Sequence, residues 1–256
     1  MLDVLAAEWL KLRTARSTWY CLGVVVLIVG LMALLAWYAA GVWDGLPPER
    51  RARFGLASLP DLACWVAFLV MGVLGVLAIT SEYSTGMIRA TLTVTPRRRD
   101  VLLAKAGVVA ALALVTGEAT GFAAFAAGRL IIGDRPIHGQ ETHIARILTM
   151  GLVVMVFALL GFCAGAVLRS TAGSIVVVAG LWHVVPVLLH MLPAPWSGRV
   201  SSFMPGALVD EIAGTGGGLT MYGTMLPVAG ALAVLAAYVA VPIGAALIVV
   251  ARRDVP

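Results

Sequence analysis

The sequence predicts an all-α, polytopic integral membrane protein with six transmembrane helices. Of its 256 residues, 61% are hydrophobic and only 12% are charged, and the mean hydropathy is +1.00. A soluble domain is nearer to half apolar and a quarter charged. The apolar residues also fall into six runs, each close to the roughly 20 residues that a helix needs to cross a bilayer. Composition and run length together exclude a soluble globular protein.

The six predicted spans form a single transmembrane domain over residues 1–256. Trp19 and Tyr20 at one end of the first span, with Trp37 and Tyr38 at the other, are typical of the two membrane interfaces. Pro186 predicts a kink in the fifth span. Residues 193–226 are too broken to cross the bilayer, and either two short outer helices or a surface loop would fit them. The spans cover about 19–40, 59–80, 102–128, 147–168, 174–192 and 227–250.

An amphipathic helix is predicted before the first span, over residues 2–16. Its apolar side chains share one face, whereas Asp3, Glu8 and Lys11 lie away from that face. This pattern indicates a helix lying in the cytoplasmic interface, with Trp9 at headgroup depth. A disordered basic tail is the alternative, because short helices are marginal on their own. The apolar face consists of Leu2, Leu5, Trp9 and Leu12.

The distribution of Lys and Arg predicts the orientation. The cationic residues concentrate on the side that carries both termini, and this excess is typical of the cytoplasmic side. We therefore expect a multi-pass protein of the cell membrane with both termini in the cytoplasm. The cytoplasmic group is Lys11, Arg13, Arg16, Arg89, Arg97, Arg98, Arg99, Lys105, Arg169, Arg252 and Arg253. The outer group is Arg50, Arg51, Arg53, Arg129, Arg135, Arg146 and Arg199.

A polar island separates the second and third spans, within residues 79–105. A turn is expected at Gly86, and a short helix follows on which Ile88 and Leu92 share a face. Pro96 ends this helix, and three arginines follow at 97–99. The island is either a loop that only fixes the topology or a contact surface for a cytoplasmic partner.

Two patches of the sequence resemble a known family. The island contains Glu-Tyr-x-x-Gly-x-Ile-Arg-x-Thr-Leu-x-x-x-Pro-Arg-Arg, preceded by Gly75–Thr80, and this run resembles the permease subunits of ABC-2 type transporters from actinobacteria. The amino-terminal Glu8-Trp9-Leu10-Lys11-Leu12-Arg13 is similar to the start of the same family. The island residues that carry the resemblance are Glu82, Tyr83, Gly86, Ile88, Arg89, Thr91, Leu92, Pro96, Arg97 and Arg98.

The resemblance implies a function and a set of partners. The chain would be the membrane-spanning subunit of an ATP-binding cassette transporter, most often an exporter of a drug-like, lipid or other amphiphilic substrate. The island residues would form a cytoplasmic coupling helix that contacts a separate ATPase subunit, which would bind ATP and Mg. A second permease copy, identical or different, would complete the complex. Short outer helices after the fifth span would fit the family too, because Phe203-Met204-Pro205-Gly206 resembles a motif found there.

Glu118 is the candidate for chemistry inside the membrane. It lies near the middle of the third span, where an ionisable group is costly and therefore functional by default. It could bind a cationic substrate, carry a proton, or tie helices together by a hydrogen bond. The sequence leaves these three roles open.

Motifs for other activities are missing from the sequence. It has no Gly-Lys-Ser/Thr phosphate loop, no Gly-x-Ser-x-Gly elbow and no His-Glu-x-x-His pair. His183 and His190 are seven residues apart and lack a third ligand at short spacing, so no metal site is expected. The basic residues lie at membrane edges, which argues against nucleic-acid binding. No enzymatic activity or cofactor is expected on this chain, although a secondary transporter or a membrane-embedded enzyme without an ATPase partner is the alternative.

Overall fold

The computed structural model describes residues 2–84, 98–141, 143–193, 195–214 and 226–252. Within these ranges the chain is helical, with no β-strand. We number the helices α1 Leu2–Thr14, α2 Arg16–Gly45, α3 Pro48–Arg51, α4 Leu59–Ser84, α5 Arg98–Ile132, α6 Ile144–Leu168, α7 Thr171–Ala179, α8 Val185–His190, α9 Trp196–Ser201, α10 Pro205–Ala213 and α11 Val228–Arg252, with a π-helix over Gly180–Val184 between α7 and α8. The all-α prediction is confirmed.

The six predicted spans are confirmed as six helices long and apolar enough to cross a membrane: α2, α4, α5, α6, the α7–π–α8 run and α11. Several are longer than predicted, because a helix continues into the polar interface after its apolar run ends; α5 runs from Arg98 to Ile132 instead of 102–128. We call the end of the bundle with α1, Ser84 and Arg98 the termini end. The opposite end, with residues 46–58, 133–141, 190–193, 195–214 and 226–227, is the loop end.

Helix α6 is the centre of the bundle, and glycines let its neighbours approach it closely. A Cβ atom on Gly75 of α4 would overlap the backbone carbonyl oxygen of Ala158 in α6. In the same way a Cβ atom on Gly161 of α6 would overlap the carbonyl oxygen of Gly72. Small residues at such contacts bring helix backbones together in a membrane, where burial of apolar surface supplies little driving force. Helix α4 and helix α6 therefore form the rigid core of the protein.

The fifth span is irregular in a different way from the predicted proline kink. Pro186 cannot donate a hydrogen bond to the carbonyl of Trp182, and the turn before it widens, so that the amide of Val185 bonds to Gly180 five residues earlier. The wide turn directs the Trp182 ring inward, with ring centroids 4.7 Å from Phe68 and 4.9 Å from Phe157. The irregularity before Pro186 is thus a π-helical turn, and it allows Trp182 to pack between Phe68 and Phe157.

Two loops at the loop end are joined to each other. The amide of Leu56 donates to the carbonyl of His138 at 2.9 Å, and the amide of His138 donates to Phe54 at 3.3 Å. Gln140 donates its side-chain amide to the carbonyls of Leu56 and Ala57, both at 2.9 Å. These bonds connect the loop after α2 with the loop after α5, so α2, α4 and α5 are held together at the loop end.

The segment between the fifth and sixth spans contains two short helices, α9 and α10, as one of the two sequence interpretations expects. In α10, Leu208 and Val209 are buried against the bundle. The buried face of α10 also carries Asp210, whose partner is described below. Helix α10 is therefore a packed part of the loop end and not a surface loop.

Candidate functional site

A cluster of four charged side chains lies at the termini end, where α1 meets α4 and α5. The Lys105 ammonium is 2.5 Å from a carboxylate oxygen of Glu8 and 2.7 Å from one of Glu82. The Lys11 ammonium is 2.8 Å from Glu8 and 3.0 Å from Glu82. Each of the two lysines thus contacts both glutamates, and the four side chains come from three helices. We call this group the ion cluster.

Three members of the ion cluster are almost free of solvent: Glu8 is 2% exposed, Lys105 3% and Glu82 4%. Burying an ionised group is costly unless a partner of opposite charge and hydrogen bonds compensate for the lost hydration. Each of these three side chains has such a partner. The ion cluster therefore fixes the position of α1 against the bundle, because moving α1 away would leave buried charges without partners.

Lys11 lies at the edge of the cluster, with its side chain 30% exposed. Burial alone would lower the pKa of Lys11, but hydrogen bonds to the carboxylates of Glu8 and Glu82 outweigh it and hold the pKa above its ordinary value. Lys11 is therefore charged throughout the physiological range.

The predicted orientation of α1 is wrong in one respect. Glu8 was expected away from the buried face, but it is buried, while Trp9 is 47% exposed. Leu12 is buried as predicted. The reason is that Lys105 offers a buried countercharge, which a periodicity argument on α1 alone cannot include. Trp9, exposed on the outer surface of α1, remains compatible with headgroup depth.

The island residues that the structure describes take part in this arrangement. Glu82 is a member of the ion cluster, and Tyr83 lies under the guanidinium of Arg169, 5.3 Å from the ring centroid. Arg169 follows α6 in a left-handed backbone conformation with φ 52°. The turn between α6 and α7 is thereby attached to the end of α4.

Of the other island residues expected to couple to an ATPase, only Arg98 lies within the described ranges. Arg98 begins α5. The predicted coupling helix, with Gly86, Ile88, Arg89, Thr91, Leu92, Pro96 and Arg97, lies outside the described residues. The two patches of sequence that carry the resemblance nevertheless meet in space. Lys11 of the first patch contacts Glu82 of the second. Glu8 of the first patch and Glu82 of the second both contact Lys105.

Glu118 lies on the seam between α5 and α6, half-buried. Its carboxyl group occupies the space that a side chain on Gly151 of α6 would need. Its Oε2 atom is buried without a hydrogen-bond partner. The hydroxyls of Thr116 and Thr120 do not reach it, because they donate to the carbonyls of Leu112 and Thr116 at 2.7 and 2.6 Å. Among the described residues nothing supports the interpretation of Glu118 as a hydrogen-bonded tie between helices.

A second buried ion group, which sequence reasoning missed, lies at the loop end. Arg146 at the start of α6 donates from Nη2 to Asp61 of α4 at 2.8 Å, and its Nη1 contacts Asp210 of α10. The Asp210 side chain is 1% exposed and that of Arg146 13%. This arginine holds α10 against α4 and α6. No local motif indicates the contact, since its three residues come from distant parts of the sequence.

Two more of the arginines that were predicted to lie outside have structural partners at the loop end. Arg135 makes a two-point contact with Asp44, with its Nη2 atom 2.8 Å from Asp44 Oδ2. Arg51 lies over the ring of Trp43, 4.6 Å from its centroid, and donates to two backbone carbonyls. With Arg146, three of the seven arginines that were predicted to lie outside thus have structural partners.

The histidines show no sign of a metal site within the described ranges, where no group of three His, Cys, Asp or Glu could hold an ion. His183 instead packs edge-on against Trp65, with ring centroids 5.0 Å apart. The side chain of His190 is outside the described set.

Comparison with known families gives one match, to the ABC-2 family of transporter proteins, over residues 4–179. The matched part includes α1, the ion cluster, Glu118 and the first four spans. A search of curated proteins found no match. Because the match covers more than half of the chain and agrees with the six-span helical fold, the chain belongs to the ABC-2 family of membrane transport proteins.

Proposed function

We propose that this permease works as the membrane-spanning half of an exporter driven by a separate ATP-binding cassette ATPase. Its family is one of membrane transport subunits, and the sequence has no phosphate loop of its own. ATP and Mg would therefore bind to the partner. The export direction and an amphiphilic or drug-like substrate follow from the resemblance and are part of the proposal.

The observation that carries the proposal is the ion cluster. An ATPase outside the membrane can move the membrane helices only through a segment of the permease that contacts the ATPase and is firmly attached to those helices. Glu82 at the end of α4 precedes the predicted coupling helix in the sequence, and Lys105 near the start of α5 follows it. Glu8 joins both residues to α1. A displacement of the island would thus reach three helices at once.

The contact with the ATPase would be made by residues 82–98. The sequence predicts a short helix there, and Arg89 supplies a charge for the contact. Mispaired charges at a protein interface cost several kcal/mol when they are buried and little at the rim. The charge of Arg89 is therefore the property to test.

A second permease copy would complete the pathway, with two ATPase subunits on the cytoplasmic side. The complex would lie in the cell membrane with the termini end in the cytoplasm, as the Lys and Arg distribution favours.

The test is co-purification from membranes. The affinity-tagged permease is expected to retain a subunit that hydrolyses ATP. Arg89→Glu is expected to lower the amount of that subunit by roughly tenfold, which corresponds to about 1.4 kcal/mol of lost contact energy.

Arg53→Glu is the matched control. It reverses an exposed arginine at the opposite end of the bundle, so it should retain the ATPase in full. Equal retention by both variants would show that the island is only a loop. Absence of any ATP-hydrolysing subunit would favour a secondary transporter instead.

A further inference from the structure

The seam between α5 and α6 is tightly packed except at Glu118. A Cβ atom on Gly117 would be 2.8 Å from the Cβ of Val154, and one on Gly121 would be 2.6 Å from Cγ2 of Ile147. These two glycines bring the helices together above and below Glu118. Between them Gly151 has no side chain, and the Glu118 carboxyl group takes its place. The carboxyl group is thus held at a fixed depth inside the membrane.

Glu118 lies at the edge of this seam and is not enclosed by the bundle. On its own helix the neighbouring Val115 is 66% exposed and Phe122 is 38% exposed. On α6, Leu148 is one turn from Gly151 and is 46% exposed. These apolar side chains flank Glu118 on the exposed surface of the bundle. The carboxyl group therefore lies on the seam beside an apolar patch that both helices form.

The seam contains an acidic side chain without a cationic partner among the described residues. No ion pair or hydrogen bond to Glu118 occurs among the described residues, and its Oε2 atom is buried and without a partner. The thiol of Cys64 lies beside Gly121 on this seam and is not a cation that could pair with a carboxylate. An ionised carboxylate at this depth is stable only with a cation beside it.

We propose that Glu118 is the countercharge of a membrane-facing binding site for lipophilic cations, which rests on the proposed transport function and gives it a substrate class. The positive centre of the ligand would contact the carboxylate. Its apolar groups would lie against Val115 and Leu148, and the ring of Phe122 offers a face to the cation. An amphiphile of this kind dissolves in the bilayer and would reach Glu118 from there.

The test uses two ions of the same shape and opposite charge, tetraphenylphosphonium and tetraphenylborate. Binding of each is measured to the purified permease in lipid nanodiscs, without an ATPase, against empty nanodiscs of the same lipid. Glu118→Gln is expected to weaken tetraphenylphosphonium binding at least tenfold and to leave tetraphenylborate binding the same or tighter. Glu118→Asp, which keeps the charge but withdraws it by one methylene, is expected to fall between the two.

Equal affinity of the wild type and Glu118→Gln for tetraphenylphosphonium would overturn the proposal and leave Glu118 as a proton-binding group. Equal weakening of both ions by a folded Glu118→Gln variant would overturn it too, since the site would then not distinguish the sign of the ligand charge. Should the Gln variant fail to fold, Glu118→Asp decides by the same comparison of the two ions. Because the assay contains no ATPase, its failure is distinguishable from failure of the permease to retain one.

Discussion

Lys105 is one of only two lysines in the chain, and it is almost completely buried at the edge of the membrane. An ammonium group suits this position because it is a compact charge that can lie between two carboxylates at once. Removing it would leave Glu8 and Glu82 buried close to each other with only Lys11 between them. Removing one partner from a buried ion group lowers the stability far more than the intact pair raises it, because the remaining charge is left buried without a partner.

We expect Lys105→Met to lower the free energy of unfolding by about 3–5 kcal/mol. Lys11→Met removes the other cation of the same cluster, but that side chain is 30% exposed, so water replaces much of what is lost and we expect less than about 1 kcal/mol. Thermal unfolding of the detergent-purified proteins measures both. Equal losses would mean that the burial of Lys105 has no energetic consequence.

At the scale of the helices, the packing of α4 on α6 depends on glycine. Gly75 and Gly161 each meet a backbone carbonyl oxygen of the other helix, which cannot move aside as a flexible side chain can. Other glycines of the spans have space around them, and Gly107 of α5 has nothing within 4 Å of an added Cβ atom. Replacing glycine by alanine at a crowded site and at an open site therefore separates the effect of packing from the effect of helix propensity.

Gly75→Ala should destabilise the protein by about 1–3 kcal/mol, because the added methyl group must push α4 and α6 apart. Gly107→Ala should be neutral or stabilising, because alanine favours a helix over glycine by about 1 kcal/mol. Heating with a thiol-reactive dye reports unfolding through the buried Cys64 and Cys163. A neutral Gly75→Ala would show that the two helices are not in close contact.

At the scale of the whole molecule, the orientation can be tested with introduced cysteines in a Cys21→Ala background, whose remaining Cys64 and Cys163 are buried. Ser17→Cys and Ala172→Cys, at the termini end, should be protected from an impermeant thiol reagent in intact cells and should react after permeabilisation. Gly45→Cys and Ala52→Cys, at the loop end, should react in intact cells. The basis is the excess of Lys and Arg at the termini end. Reaction of Ala172→Cys in intact cells would reverse the topology.

The six spans were predictable because run length and hydropathy respond to the membrane directly. Glu118 was predictable as an ionisable residue inside a span for the same reason. Its proposed role required the structure, which shows that Gly151 leaves room for the carboxyl group and that Thr116 and Thr120 donate their hydrogen bonds elsewhere. The pairing of Glu8 with Lys105 and of Arg146 with Asp210 was not predictable. Each contact joins helices that are far apart in sequence, and neither leaves a periodic or local pattern.

The ion cluster has a further consequence for how the protein responds to ionic strength. Salt screens exposed charges beyond about 8 Å under physiological conditions, but it reaches buried pairs only weakly. The contact of α1 with Lys105 is buried, whereas a partner held by exposed arginines would be open to screening. A concentrated salt wash should therefore release such a partner from the membrane while the amino-terminal helix stays in place.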